Sequence, residues 1–194
     1  MENAFLSYLI TDPKYYSSNP KQFREKLIHA LDSHPVNMAC FRDKESSNFE
    51  VLAKIFVDTC RDFQVETILI NGNYTLASEL DATGVHLTSE QFDDIAQAKA
   101  KNLFVVISCH SFEEIKKAQD LHADAVTFSP IFDTPNKGKA KGIDLLKEAT
   151  QLYDIDIIAL GGIINKEEIQ KIKKAKAKGF ASIRYFIDEL IPLL

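Results

Sequence analysis

No run of about 18 uninterrupted apolar residues occurs in this 194-residue chain, so no membrane-spanning helix is expected. The opening stretch, MENAFLSYLITD, lacks a basic segment ahead of a long apolar core, so no export leader is expected either. Cysteine is scarce. Cys40, Cys60 and Cys109 are odd in number, far apart and without a CxxC pair, which predicts reduced thiols in a cytoplasmic protein. No basic block is long enough to mark nucleic-acid binding in a chain of formal net charge -5, and KKAKAK at 173–178 reads as the solvated face of a helix. A Gly-rich fingerprint is missing after the first apolar run, which counts against a dinucleotide-binding sheet. What is present, 45% hydrophobic and 26% charged residues, is ordinary for a globular protein, and the length suits one domain, 1–194, with a substantial core.

Along the chain, short apolar runs alternate with helical patterns. FLSYLIT (5–11) precedes a 3.6-residue periodicity at Phe23, Leu27, Ile28 and Leu31, and VNMACF (36–41) precedes a helix over 49–63. ETILI (66–70) leads to a short helix at 75–80, TGVHL (83–87) to one over 89–101, and LFVVIS (103–108) to SFEEIKKAQDLH, where Ser111 and Glu114 have capping-box spacing. AVTF (125–128) is followed by IDLLKEATQLY, DIIAL (156–160) by an Asn165-capped KEEIQKIKKA, and FASI (180–183) by the apolar helix YFIDELIPLL. Eight strand-then-helix units of about 24 residues, with β-branched strands, predict a parallel sheet covered on both faces. The arrangement is a compact (β/α)8 barrel in preference to an open doubly wound sheet.

In such a barrel the site lies at the C-terminal ends of the strands. Those positions hold Arg42 and Lys44, Asn71, His86 and Thr88, Ser108 and His110, Ser129 to Lys137, Gly161 and Gly162, and Arg184. Cys40, Arg42 and Lys44 share one parity and so one face of an extended strand. The longest connection, SPIFDTPNKGKAKG (129–142), concentrates Lys137, Lys139 and Lys141 beside Thr134 and Asn136. Donors of this kind on a long loop suit phosphate or diphosphate. Gly161-Gly162 after the seventh strand and Arg184 after the eighth add a phosphate site, the glycines by exposing backbone N–H groups. A tight turn at the glycines and an Arg184–Asp188 ion pair form the alternative. His86 and His110 are candidates for proton transfer, because imidazole titrates near neutrality. His86 at a strand end is favoured, while His110 abuts the Ser111 cap. A Cys109–His110 nucleophilic pair is disfavoured, since adjacent strand side chains diverge.

The string from Ser108 to Ile163 resembles the thiamine phosphate synthase and thiazole tautomerase (TenI) superfamily. Members show S-x-H-[ST]-x-x-E, then G-P-[IV]-[FY]-x-T-x-[TS]-K, then A-[IL]-G-G-I, in the order and spacing found here. TGVHL, ITD and ACFRDKE match the other strand ends more loosely. The resemblance implies a TIM barrel that binds thiazole phosphate and, in the synthase, a pyrimidine diphosphate through Mg²⁺. It assigns Arg42 and Lys44 to the diphosphate, and Asn71, Ser108, Thr134, Asn136, Lys137 and Gly162 to substrate contacts. Where the synthase has glutamine this chain has Cys40, and both expected metal carboxylates are absent, replaced by Gly72 and Gln91. Mg²⁺ is ordinarily held by carboxylates and substrate phosphates, so Glu90, Asp93 or Asp94 would have to substitute by a register change.

Three expectations follow. The chain is a metal-independent, tautomerase-like enzyme with no resident metal, using Arg42, Lys44, Thr134, Lys137, Gly162 and Arg184 for anions and His86 as proton carrier. Alternatively it is a thiamine phosphate synthase with displaced Mg²⁺ ligands, Lys44 and Lys137 helping diphosphate depart, or a non-catalytic binding barrel. The tautomerase branch carries histidine in G-H-V-F, where this chain has Pro130. The apolar C-terminus, Phe186 to Leu194, is a candidate cap for the barrel or a homo-oligomer interface. Arg184 and Tyr185 stand where the family has small residues, either binding phosphate or filling the pocket.

Overall fold

The computed structural model describes residues 5–135 and 137–187. Its sheet closes on itself in chain order, eight parallel strands with the last paired to the first. The strands are β1 (Leu6–Ile10), β2 (Met38–Phe41), β3 (Thr67–Asn71), β4 (Gly84–Leu87), β5 (Phe104–Cys109), β6 (Ala125–Phe128), β7 (Asp156–Leu160) and β8 (Gly179–Ser182). The barrel inferred from the alternation is therefore the fold. Helices α2 (Pro20–Ser33), α3 (Phe49–Asp62), α4 (Tyr74–Glu79), α5 (Ile95–Ala100), α6 (Phe112–Asp120), α7 (Gly142–Leu152) and α8 (Lys166–Lys174) form the outer layer, preceded by one turn, α1 (Pro13–Tyr16).

Two cores result from the alternation of strand side chains. Outward residues such as Leu9, Phe41, Val105 and Phe128 pack against helical Leu27, Phe56, Ile115 and Leu146. Inward residues, among them Ile10, Met38, Leu69, Val106 and Ile158, fill the lumen. Both strand faces are apolar because both are buried, which is why these strands read as continuous runs.

Local signals place most helix starts. Asn19 caps α2 by accepting from Lys21 N–H and Gln22 N–H, with Pro20 in the first helical position. Asn165 and Glu168 complete a capping box on α8. At α6 the box is altered: Ser111 accepts from Glu114 N–H, while Glu114 Oε2 reaches back to the backbone N–H of His110 instead of Ser111.

Two expectations need correction, and one turn is an addition. The helix expected over 89–101 begins as a turn and a 3₁₀ segment, Phe92–Asp94, and becomes α-helical only at Ile95. Its start is drawn away because the Gln91 amide bonds to Thr88 and to Gly72. Pro13–Tyr16 forms a turn not foreseen, started by Asp12, whose carboxylate accepts from Lys14 N–H. Where the apolar C-terminal helix is expected, the described residues form a 3₁₀ turn, Arg184–Phe186, followed by an extended Ile187, with Phe186 buried against the outer core. Residues 188–194, where the rest of the expected helix and interface falls, lie outside the described residues.

Candidate active site

The end of β1 positions the end of β2. Thr11 N–H donates to Cys40 O at 3.0 Å, and its hydroxyl both accepts from Arg42 N–H at 2.9 Å and donates to Arg42 O at 3.2 Å. Arg42, thus held at the rim, directs Nη1 to Asp12 Oδ2 at 2.6 Å. Asp43 is buried, and its carboxylate accepts from the N–H groups of Glu45 and Ser46, both at 2.9 Å. Burial pushes its pKa up, but the hydrogen bonds from Ser46 and Glu45 and the Arg42 charge outweigh this and hold it below the usual carboxylate range. Lys44 is exposed in the bend that follows. Strand alternation does not govern it, because β2 ends at Phe41.

Beneath the rim lies a polar layer. Tyr8 Oη is 2.7 Å from His86 Nδ1, and His86 Nε2 is 3.1 Å from Ser108 Oγ and 3.3 Å from Thr127 Oγ1. Tyr8, His86 and Thr127 are buried, and Ser108 is half-buried. Burial, helped by the Arg42 charge, pulls the His86 pKa down from 6.5 to about 4, so the ring is neutral at pH 7. The structure places His86, the expected proton carrier, inside the barrel with both ring nitrogens engaged and Ser108 as one of its partners. Burial also pushes the Cys40 thiol up to about 12, which disfavours its thiolate form.

At the third and fourth strand ends, Asn71 Nδ2 donates to His86 O at 2.9 Å, tying the two together. Gln91 Oε1 accepts from Thr88 N–H and Thr88 Oγ1–H, both at 3.1 Å, and Nε2 donates to Gly72 O and Asp94 Oδ2, both at 2.9 Å. Both acceptor sites and both N–H groups of the amide are used. The two positions where the resemblance calls for metal carboxylates are thus bonded to each other, and Asp94 is drawn into the same link. Among the described residues no group of three or more His, Cys, Asp or Glu could hold a metal ion. These residues do not fit Mg²⁺, which takes oxygen ligands and usually one or two carboxylates.

The long loop folds over the end of β7. Ile131 N–H donates to Leu160 O and Phe132 N–H to Gly161 O, at 2.9 and 3.0 Å. A Cβ on Gly161 would lie 2.8 Å from Pro130 Cα, and one on Gly162 would lie 2.6 Å from Asp133 O, each at a positive φ. The pair therefore admits the loop backbone. Thr134 Oγ1 donates to Phe132 O at 3.0 Å, and Lys137 N–H to Thr134 O at 3.2 Å, closing a turn from which exposed Lys137 projects. Asn136 lies outside the described residues. Lys141 points elsewhere, with Nζ 5.2 Å from the Phe128 ring centroid. Arg184 is exposed, and its suggested partner Asp188 lies outside the described residues. Tyr185 does not fill the pocket: its ring packs on His34, Phe180 and Phe186 in the outer layer.

Sequence reasoning missed Asp12, Tyr8 and Thr127. Tyr8 shares parity with Ile10 on β1, but alternation alone does not say which face is the lumen.

The fold is a compact (β/α)8 barrel with polar and cationic side chains gathered at the C-terminal ends of its strands. The chain belongs to the thiamine monophosphate synthase (TMP-TENI) family, whose model matches residues 7–186. It is 33% identical over 186 residues to a putative thiamine-phosphate synthase 2 of Aquifex aeolicus, covering 93% of this chain and 97% of that one. It is 32% identical over 186 residues to a thiamine-phosphate synthase of Syntrophomonas wolfei, covering 91% and 85%. Among solved structures it resembles a thiamine phosphate pyrophosphorylase from Pyrococcus furiosus, with a TM-score of 0.79, 25% identity and coverage of 93% and 86%. Among the described residues no helix is long and apolar enough to cross a membrane.

Proposed function

We propose that the protein binds a thiazole phosphate at the barrel mouth and, without a metal ion, moves a proton within that ligand, as the tautomerase branch does. The observation that carries this reading is the Gln91 amide, whose oxygen accepts from Thr88 N–H and Oγ1–H while its nitrogen donates to Gly72 O, at a position where a metal ligand is required. Arg42, Lys44, Thr134, Lys137, Gly162 and Arg184 bind the anionic groups in this reading, with Ser108, Asn71 and Gly161 completing the wall; Asn136, outside the described residues, is a further contact on the family resemblance alone.

The test is thiamine phosphate formation from thiazole phosphate and hydroxymethylpyrimidine diphosphate, with Mg²⁺ present and with it chelated. The expected result is no Mg²⁺-dependent product, alongside isomerisation of the non-aromatic thiazole carboxylate phosphate. Robust Mg²⁺-dependent synthesis would overturn the proposal. A second reading, thiamine phosphate synthase, is favoured by the names of the relatives, and Arg42 at the rim suits a diphosphate. Saturable thiazole phosphate binding without turnover in either assay would instead indicate a non-catalytic binding barrel.

Arg42 meets an anion only by leaving or sharing Asp12. Asp12→Asn keeps a cap oxygen for α1 but removes the charge, so inorganic diphosphate should bind about three- to tenfold tighter by calorimetry, consistent with the ~1 kcal/mol scale of a partly exposed ion pair. Unchanged or weaker binding would show that Arg42 does not contact the anion.

A further inference from the structure

We infer that His110 is the group that moves the proton in this site, an inference that rests on the tautomerase-like reading above. Its backbone stands just past β5, where Glu114 Oε2 accepts its N–H, and its ring lies against Ser129, just past β6. His110 Nδ1 is 3.2 Å from Ser129 O and 3.3 Å from Ser129 Oγ. A carbonyl oxygen only accepts, so the Nδ1–Ser129 O bond places a hydrogen on Nδ1. In the neutral ring Nε2 then carries the lone pair. Among the described residues Nε2 has no protein partner, and the side chain is exposed at the rim. This combination, one nitrogen anchored by a backbone carbonyl and the other open, is what a proton acceptor needs.

The surroundings fit the role. Ser108, two residues earlier, is oriented by His86. Ser129 begins the loop that brings Thr134 and Lys137, and Thr134 Oγ1 approaches to 3.3 Å of a Cβ placed on Gly161. Ser129 stands where the family motif has glycine, and its hydroxyl gives the imidazole a second contact. The next residue, Pro130, occupies the place of the tautomerase histidine, so His110 supplies an imidazole from the neighbouring strand end.

The step balances within one ligand. His110 Nε2 takes a proton from a ring carbon, the electron pair of that C–H bond moves into the ring, and a new C–H bond forms at the far end of the conjugated system. The proton on Nε2 supplies that bond, returning the imidazole to its neutral form, so no oxidant or second substrate is consumed.

The experiment compares isomerisation of the non-aromatic thiazole carboxylate phosphate by the wild-type chain, His110→Ala and His110→Asn. Asn retains a donor for Ser129 O but has no Nε2, and it keeps the test open should the alanine variant fold poorly. Both variants should lose about 10²–10⁴-fold in kcat, the range of general acid–base catalysis, while KM and binding of aromatic thiazole phosphate change by less than about threefold. Added imidazole should restore part of the His110→Ala activity, which a purely structural role would not permit. Wild-type isomerisation with undiminished variants would overturn the role of His110 alone. Absence of isomerisation by the wild-type chain would overturn the tautomerase-like reading and this role with it.

Discussion

Gly84→Ala is expected to cost about 3 kcal/mol or more, from steric overlap alone, at the top of the usual range for overpacked sites. A Cβ there would lie 2.1 Å from Phe104 O and 2.7 Å from Leu69 Cδ2. Leu69 can shift its methyl group, but Phe104 O belongs to the backbone of β5. Gly84 is paired with Phe104 in the β4–β5 ladder, and Phe104 N–H donates to Thr83 O at 3.0 Å. Relief therefore requires parting two strands of a closed barrel, where no edge strand exists to give way. Gly138→Ala is the matched control, because a Cβ there meets nothing within 4 Å. It should change stability by less than about 0.5 kcal/mol. Urea denaturation of the three proteins measures both effects, and a Gly84→Ala midpoint equal to that of Gly138→Ala would refute the argument.

A second large effect is a loss of stability in mild acid through His86. Its pKa is about 4 in the folded chain, against an ordinary value of 6.5. Between these values the unfolded chain binds a proton at this site and the folded chain does not, so stability rises with pH across that window. The contribution is intact above about pH 6.5, declines as pH falls, and is spent near pH 4. The difference of about 2.5 units corresponds to about 3 kcal/mol at roughly 1.4 kcal/mol per unit. The neighbouring titratable groups Tyr8 and Cys40 do not titrate in this window: burial raises Tyr8 well above its ordinary value and Cys40 to about 12. Asp43, held low, loses its own contribution only at lower pH. His86→Gln should therefore be less stable than the wild-type chain at pH 7 yet show a shallower decline to pH 4. Parallel stability curves for the two proteins would show that His86 takes up its proton freely in the folded state.

Both effects come from contacts that the order of residues only partly reveals. The eight strands and most helices were legible, because periodicity, Asn19 and Asn165 caps, and Pro20 act within one turn of themselves. The long loop was legible as an unusually long, lysine-bearing connection, and the Ser108–Ile163 motif identified the family. The role of His86 was not legible. In a parallel barrel both faces of each strand are apolar, so alternation separates two sets without saying which one fills the lumen. His110 was a candidate, yet its anchor, Ser129, lies 19 residues away on another strand end. Gln91 was legible as a missing carboxylate, but not the way its amide is used: Oε1 accepts from Thr88 N–H and Oγ1–H, and Nε2 donates to Gly72 O, 19 residues distant. The helix start near Ser89 was misread for the same reason, since the Gln91 amide serves a neighbouring loop.

By itself the sequence determined the alternation of elements, the closed parallel sheet, and the residue types that reach the strand ends, because these depend on interactions between near neighbours. Only the tertiary structure decided which histidine is sealed in the lumen and which is open at the rim, why Gly161 and Gly162 lack side chains, and how Gln91 is spent. Each of those outcomes is set by the approach of two strand ends, a distance that barrel closure establishes and local periodicity does not contain.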